Sequence, residues 1–502
     1  MSTSADDDRR SARGVVAAGH PLTAAAGADV LRAGGNAVDA ALAAMLTSFV
    51  AEPLLTGLGA GGYMLVVAPG RDPVLLDFFV EAPGRGADLA TRAPLQPVDV
   101  SFGDAVQVFN VGAASCGAYG TPAGVCEAAA RFGTIPLAEL AAPAAALARD
   151  GVEVNVEQAY LFEILAPIYS STAEGREQYM REGRLARPGD VLRDPVLADT
   201  LERLGAEGSA PFYTGDVAAA VSRRVCELGG TLTAEDLAAY EAVPREPVHV
   251  SYRGRDVLTN PPPSAGGTLL AYALALLDAA PGPPDPIALL TAMERAQAER
   301  TSEFLTGLAE PGFLERFMAS RLGATTHISV LDGDGWACSV TCTNGEGSGI
   351  VVPGTGIHVN NMMGEQDLSP LGFFTHPPGR RLPSMMAPTV VLGADGAPEL
   401  ALGSAGSNRI RSALLQVIVN VLDRGMNAAE AVEAPRMHYE DGVVYVEPGI
   451  DAVALQFAGH TVSRFRALNL FFGGCQAVER DPATGALDGG GDPRRGGAVV
   501  AA

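Results

Sequence analysis

The stretch "TTHISVLDGDGWACSVTCT", residues 325 to 343, constrains this chain more than any other. Two runs rich in β-branched and apolar residues flank an Asp-Gly-Asp-Gly turn, which is the pattern of a β-hairpin. Strands are predicted at 326 to 331, 336 to 343 and 389 to 392, with a helix from about Arg409 to Asp423. Upstream, residues 137 to 240 read as largely helical, with apolar spacing in Leu137 to Leu147, Val191 to Leu204 and Val217 to Leu228. A short helical run is expected to end near Leu322. No repeat, heptad series or low-complexity linker separates the two halves, so their strands are expected to share one fold.

Earlier still, "VVAAGHPLTAAAGADVLRAGGNAVDAALAAML" from Val15 reads as a helical hairpin, with Gly34-Gly35 stopping one helix and Asn36 capping the next. Val38, Leu42, Met45, Leu46 and Phe49 fall on one face of the second helix, and Asp39 argues against a membrane span. The glycine loop Thr56 to Gly62 leads into a strand and lacks the Gly-Lys-Ser/Thr ending of a phosphate cradle. "VHVSYRGRDVL" from Val248 reads as a strand pair about an Arg-Gly turn. Ser264, in "PPSAGG", lacks the elbow of a serine nucleophile and is read as part of a rigid turn.

Composition removes several function classes. A net charge of −23 opposes phosphate backbones and anionic lipid, and no basic cluster carries interleaved aromatics. Nucleic acid and membrane are therefore not expected partners. Residues 1 to 14, "MSTSADDDRRSARG", read as a flexible polar tail without the apolar segment of a signal peptide. Six cysteines, at 116, 126, 226, 338, 342 and 475, are too sparse for a disulfide framework. Cys338 and Cys342 share a strand face but stand about 13 Å apart along it. Reduced cysteines and a cytoplasmic location are expected. No histidine or cysteine spacing suits a metal, and no cofactor is expected.

Thr325 and Thr326 at the mouth of the hairpin admit two readings from the residues alone. One is a strand that begins with two β-formers. The other is cleavage between Ala324 and Thr325, which leaves Thr325 as a new amino terminus.

Several blocks together resemble the γ-glutamyltranspeptidase family of N-terminal nucleophile hydrolases. They are "GGNAVDAALA" (34 to 43), "EPLLTGLGAGGYMLV" (52 to 66), "RPGDVLRDPVLADTL" (187 to 201), "GGTLTAEDLAAY" (229 to 240), "PPPSAGG" (261 to 267), "TTHISV" (325 to 330), "GSGIVVPGTGIHVNNMM" (347 to 363) and "GSAGSNRI" (403 to 410). The resemblance implies an α/β four-layer αββα sandwich. It also implies self-cleavage into a large chain, 15 to 324 behind the tail, and a small chain, 325 to 502, that stay together as a heterodimer; further dimerisation is left open. Thr325 would be nucleophile and, through its own α-amino group, base. That amine has an ordinary pKa of about 7.7 to 8.0, close to working pH. Thr343 matches a threonine that orients the nucleophile, and the amides of Gly406 and Ser407 would face a developing oxyanion.

The glutamate-recognition positions depart from the family. Phe79 stands where the family has a carboxylate-binding arginine, and "LPSMMAP" keeps Ser384 but has Met385 in place of a second serine. Around the ammonium the nearest matches are Asn344, Met362 and Glu365, and the segment 365 to 384 is short, which suggests a reduced lid. Arg85, Arg380, Arg381 and Arg409 are the candidate replacements for the missing arginine. The expected activity is a self-processing threonine hydrolase acting on an acyl bond of a small molecule, specialised away from glutathione. The alternatives are a carbon-carbon bond hydrolase of an alkylproline antibiotic pathway, an ordinary γ-glutamyl hydrolase or transferase, and an inactive scaffold.

Overall fold

The computed structural model describes residues 12–101, 106–181, 183–299, 326–369 and 372–502. Its principal strands are β1 (Gly14–Ala18), β2 (Gly61–Val67), β3 (Val74–Phe78), β4 (Val243–Arg245), β5 (Val248–Tyr252), β6 (Arg255–Thr259), β7 (Thr326–Asp332), β8 (Ala337–Thr343), β9 (Thr389–Leu392), β10 (Pro398–Ala405), β11 (Gly474–Arg480), β12 (Leu487–Gly491) and β13 (Ala498–Ala501). They form two antiparallel sheets, ordered β4-β3-β2-β8-β7-β1-β13 and β5-β6-β9-β10-β11-β12. Each sheet takes strands from both sides of residue 325, as the absence of a linker led us to expect.

The expected helical hairpin comprises α1 (Pro21–Arg32) and α2 (Ala37–Ala51), with Gly34 at φ +96° between them. Asn36 caps α2 in a reciprocal box with Asp39. Two features differ from expectation. Val15 to Ala18 precede the hairpin as part of β1, a strand buried along its length between β7 and β13. α2 is buried on every side rather than one, because the first sheet, α1 and two later helices, α3 (Thr121–Phe132) and α4 (Leu137–Asp150), surround it. Asp39 is tolerated there because it accepts from Asn36 N at 3.1 Å and from Thr134 N at 2.9 Å.

The helical reading of Val191 to Leu204 is corrected at its start. Val191–Leu192 pairs with Val152–Glu153, and the helix begins at Pro195, whose missing N–H suits the first turn and which Asp194 caps. The run expected to end near Leu322 lies outside the described residues.

The two sheets face each other through β7 against β10 and β11, and through β1 against β11 and β12. α2 lies against β7 and β8, while α5 (Ala265–Asp278) packs on β5 and α6 (Arg409–Leu422) on β10. Among the described residues, no helix is long and apolar enough to cross a membrane.

Candidate active site

Strand periodicity sorts the hairpin into two faces. Ile328, Val330, Cys338, Val340 and Cys342 enter the apolar core around α1 and α2. His327, Ser329, Ser339 and Thr341 have the opposite parity and form a polar network toward the second sheet. His327 hydrogen-bonds through Nδ1 with Thr341 Oγ1 at 2.9 Å and through Nε2 with Ser329 Oγ at 2.7 Å. Ser329 Oγ donates to Gln476 O, and Ser339 Oγ to Leu402 O, each at 3.1 Å. Burial pushes the His327 pKa down to about 3, so the ring is neutral at physiological pH. Gly403 makes room for it, since a Cβ there would lie 2.3 Å from the imidazole. These bonds fasten β7 to β11 and β8 to β10.

Ala324 and Thr325 lie outside the described residues. The first described residue of β7, Thr326, pairs with Cys342, and the next residue along β8 is Thr343. Thr343 continues the parity of Ser339 and Thr341 and opens on a cavity of about 790 Å³ that Gly406 and Ser407 also line. Its Oγ1 accepts from Gly345 N at 2.8 Å, which leaves the hydroxyl proton to donate elsewhere. Gly406 has φ +119°, and a Cβ on it would meet Gly473 Cα at 2.6 Å. Ser407 holds φ +54°, a left-handed conformation that favours glycine, at the turn leading into α6.

Of the substrate positions expected from sequence, Phe79, Met362, Glu365 and Met385 line this same cavity. Phe79 is 1% exposed and stacks on Tyr63 with ring centroids 5.5 Å apart. Its carbonyl accepts from the Tyr240 hydroxyl at 2.7 Å and from Arg381. Glu365 accepts from Asn361 Nδ2 at 3.1 Å. Asn344 and Ser384 are not among the lining residues. Asn344 is buried with its amide toward Gly57, and Ser384 Oγ accepts from Met386 N at 3.0 Å. Ser264 hydrogen-bonds the carbonyls of Ser384 and Met386 at 3.1 and 2.9 Å, a clamp across that turn.

The candidate replacement arginines separate cleanly. Arg381 is buried beneath Phe79, 3.7 Å from Asp77 and 3.5 Å from Glu81, and donates to Glu241 O at 2.6 Å. Arg85 is held by Glu81 and Asp236 at 3.4 and 3.6 Å. Neither these two nor Arg380 is among the lining residues, whereas Arg409 is. Arg409 donates from Nε to Phe471 O at 2.9 Å and lies 4.8 Å from the centre of that ring.

The sequence reading missed the rest of the wall. Leu161 and Leu165, one turn apart on the helix Val156–Tyr169, line it, as do Leu55, Leu470 and Arg495. The i, i+4 spacing of the two leucines is visible in the sequence, but which cavity they face is a tertiary fact. Arg495, Leu55 and Leu161 also line an adjoining cavity of about 370 Å³ that contains Glu52. Burial raises the Glu52 pKa to about 7, opposed by a hydrogen bond from Thr23 and by the charge of Arg495. Burial, and then repulsion from Arg409, lowers that of Arg495 to about 10.

Comparison with known proteins agrees with this geometry. A family model described as gamma-glutamyltranspeptidase matches residues 23–313 and 310–502. The chain is 34% identical to the acylase ACY 1 proenzyme of Pseudomonas sp. (strain SE83), over 97% of this chain and 93% of that protein. It is 33% identical to the glutathione hydrolase proenzyme of Escherichia coli (strain K12), over 97% and 91% respectively. The crystal structure of cephalosporin acylase from Bacillus halodurans superposes with a TM-score of 0.81 at 28% identity, covering 97% of this chain and 96% of that one. Matched over 97% of its length in sequence and in fold, this chain belongs to the gamma-glutamyltranspeptidase family, enzymes of the hydrolase and acyltransferase classes.

Proposed function

We propose that this chain is a self-processing N-terminal threonine hydrolase, cleaved between Ala324 and Thr325, that cuts an acyl bond in a small molecule other than glutathione. The chains 15–324 and 325–502 would stay together as one heterodimer, since strands of both build each sheet. We read the helix-sheet-sheet-helix order of the contacts as the αββα sandwich of N-terminal nucleophile hydrolases. Six unpaired cysteines suit a reducing, cytoplasmic location.

The observation that carries this reading is the shared cavity: Thr343 and the Gly406-Ser407 turn line the same space as Phe79 and Met385. In the proposed reaction the α-amino group of Thr325 takes the proton from its own hydroxyl as the oxygen attacks the carbonyl. The Thr343 hydroxyl donates to the attacking oxygen and holds it in line, and amides of the Gly406-Ser407 turn stabilise the tetrahedral oxyanion. The ammonium then protonates the leaving amine, and water hydrolyses the acyl-enzyme by the same steps in reverse.

An apolar side chain at 79 and a thioether at 385 offer nothing to a γ-glutamyl α-carboxylate at those positions, which supports specialisation away from glutathione. The test compares γ-glutamyl-p-nitroanilide with unbranched acyl p-nitroanilides on fully processed protein. Preference for the acyl series is expected. Efficient turnover of the γ-glutamyl compound would refute the specialisation, and no turnover of any anilide by processed protein would refute the acylase reading.

A further inference from the structure

We infer that Glu440 is a positioning residue for this active site: it tethers Asn408 and through it holds the Gly406-Ser407 turn in place at the cavity wall. The inference rests on that turn being the oxyanion site and adds what fixes it there. β10 ends at Ala405 and α6 begins at Arg409, so the turn is suspended between a strand and a helix. Its backbone bonds are local: Gly406 O accepts from Arg409 N, and Ser407 O from Ile410 N, each at 3.1 Å. Ser407 holds φ +54°, which is strained for a residue with a Cβ and persists only where the surroundings enforce it. Asn408 is the next residue. It stands at the N-cap position of α6 with helical φ and ψ of −51° and −20°, and its side chain makes no capping bond to the helix. Its Nδ2 donates instead to Glu440 Oε1.

That bond is the last rung of a polar ladder. Asn408, Ser412 and Gln416 follow at four-residue spacing on one stripe of α6, and all three are buried. Their partners lie on the strand Met437–Glu440. Gln416 bonds both ways with the Met437 backbone, donating to its carbonyl at 2.9 Å and accepting from its N–H at 3.0 Å. Ser412 Oγ lies 2.9 Å from His438 Nδ1, and His438 Nε2 lies 3.2 Å from Glu440 Oε2. Burial lowers the His438 pKa, so the ring is neutral. A carboxylate only accepts, so Nε2 carries the proton and Nδ1 accepts from Ser412. Ser412-His438-Glu440 has the order of a hydrolytic triad, but Ser412 is 2% exposed, which leaves a substrate no access to it. The ladder serves position instead. Apolar side chains here would let a helix slide or rotate at little cost, whereas bonds between fixed partners allow one register. A catalytic group misplaced by about 1 Å costs about 100-fold in rate, so register is what an oxyanion turn requires. Glu440 also has a second role. Burial opposes its ionisation, and the His438 bond with the charges of Arg409 and Arg411 overcomes that. Arg409 lines the cavity, so the test has to separate tether from charge.

Amide hydrogen exchange and kinetics on processed protein test this together. In Glu440→Ala the amides of residues 406 to 410 should exchange about 10-fold faster or more, while those of 414 to 422 keep the parent rate. For an acyl p-nitroanilide, kcat should fall about 10- to 100-fold with KM within about 2-fold, because displaced oxyanion donors are felt in the transition state and not in substrate binding. Glu440→Gln removes the charge but keeps an acceptor for Asn408, and neutral His438 can exchange tautomers to accept from the new amide, so kcat should stay within about 5-fold of the parent. Asn408→Ala cuts the tether from the turn side and should match Glu440→Ala, with the double variant no slower than either single one. It also decides the matter if Glu440→Ala does not fold. Unchanged exchange at 406 to 410 in the tether variants, a rise in KM in place of a fall in kcat, or equal losses in Glu440→Gln and Glu440→Ala would overturn the inference. Faster exchange with undiminished kcat would instead remove the Gly406-Ser407 turn from the oxyanion role. If the parent hydrolyses no acyl anilide, the functional reading fails while the exchange comparison still decides the tether.

Discussion

Glu52 provides a test in which two effects predict opposite signs. Its carboxyl ends α2, is 7% exposed, accepts from Thr23 Oγ1 at 3.0 Å, and occupies space that a side chain on Gly19 would fill, 2.4 Å from Oε2. Burial opposes ionisation and Arg495 favours it, and burial wins, raising the pKa from 4.5 to about 7. The folded protein therefore keeps a proton that the unfolded chain releases near its ordinary value. Between those values the folded state binds more protons, so Glu52 costs stability progressively as pH rises through the window and costs a constant amount above it. The full cost is about 3 kcal/mol at 1.36 kcal/mol per pH unit, of which about 2.5 kcal/mol accrues between pH 5 and pH 8.5. Glu52→Gln keeps the acceptor for Thr23 and removes the charge. With unfolding entropy of roughly 2 cal/mol/K per residue, a chain of this length loses about 1 °C of Tm per kcal/mol. Scanning calorimetry should thus find the Tm advantage of Glu52→Gln larger at pH 8.5 than at pH 5 by about 2 to 3 °C. If the advantage is the same at both values, or reverses at high pH, attraction to Arg495 outweighs desolvation and the reasoning is wrong.

Three further outcomes are expected. Thr343→Val should fold and process normally but turn over about 5- to 150-fold more slowly, for loss of one catalytic hydrogen bond of about 1 to 3 kcal/mol; an unchanged kcat would reduce Thr343 to strand packing. Gly406→Ala forces a side chain into a backbone at φ +119° and against Gly473 Cα, so Tm should fall by the equivalent of about 1 to 3 kcal/mol and the rate should drop with it. Phe79→Arg with Met385→Ser should raise kcat/KM for γ-glutamyl-p-nitroanilide roughly 10- to 150-fold by supplying charge-assisted hydrogen bonds of about 1.5 to 3 kcal/mol; no gain in folded, processed protein would remove Phe79 from substrate selection.

Where the chain's own periodicity carried the information, it was readable. The β7-β8 hairpin, the Asn36 cap and the start of α6 at Arg409 follow from local pattern and agree to within a residue or two. β1 was missed because four apolar residues before a Gly-His-Pro break have no periodicity of their own and are a strand only by lying between β7 and β13. At the site, Phe79, Met362, Glu365 and Met385 were found through motif positions, and they do meet around one cavity. Ser384 and Met385 show the limit of that method, since adjacent residues outside a regular strand turn to different surroundings and no spacing rule says which. Arg495 left no sequence signal at all: what distinguishes it from Arg494 is that Glu447 and Asp492 reach one guanidinium and not the other.

The most direct test of a threonine nucleophile is the intact mass of the mature small chain. Denatured protein should give two species, the smaller beginning at Thr325 and ending at Ala502, and Thr325→Ala should remain one unprocessed chain with no turnover. An active protein that stays a single chain of 502 residues, or a small chain that begins at any residue other than Thr325, would contradict the mechanism.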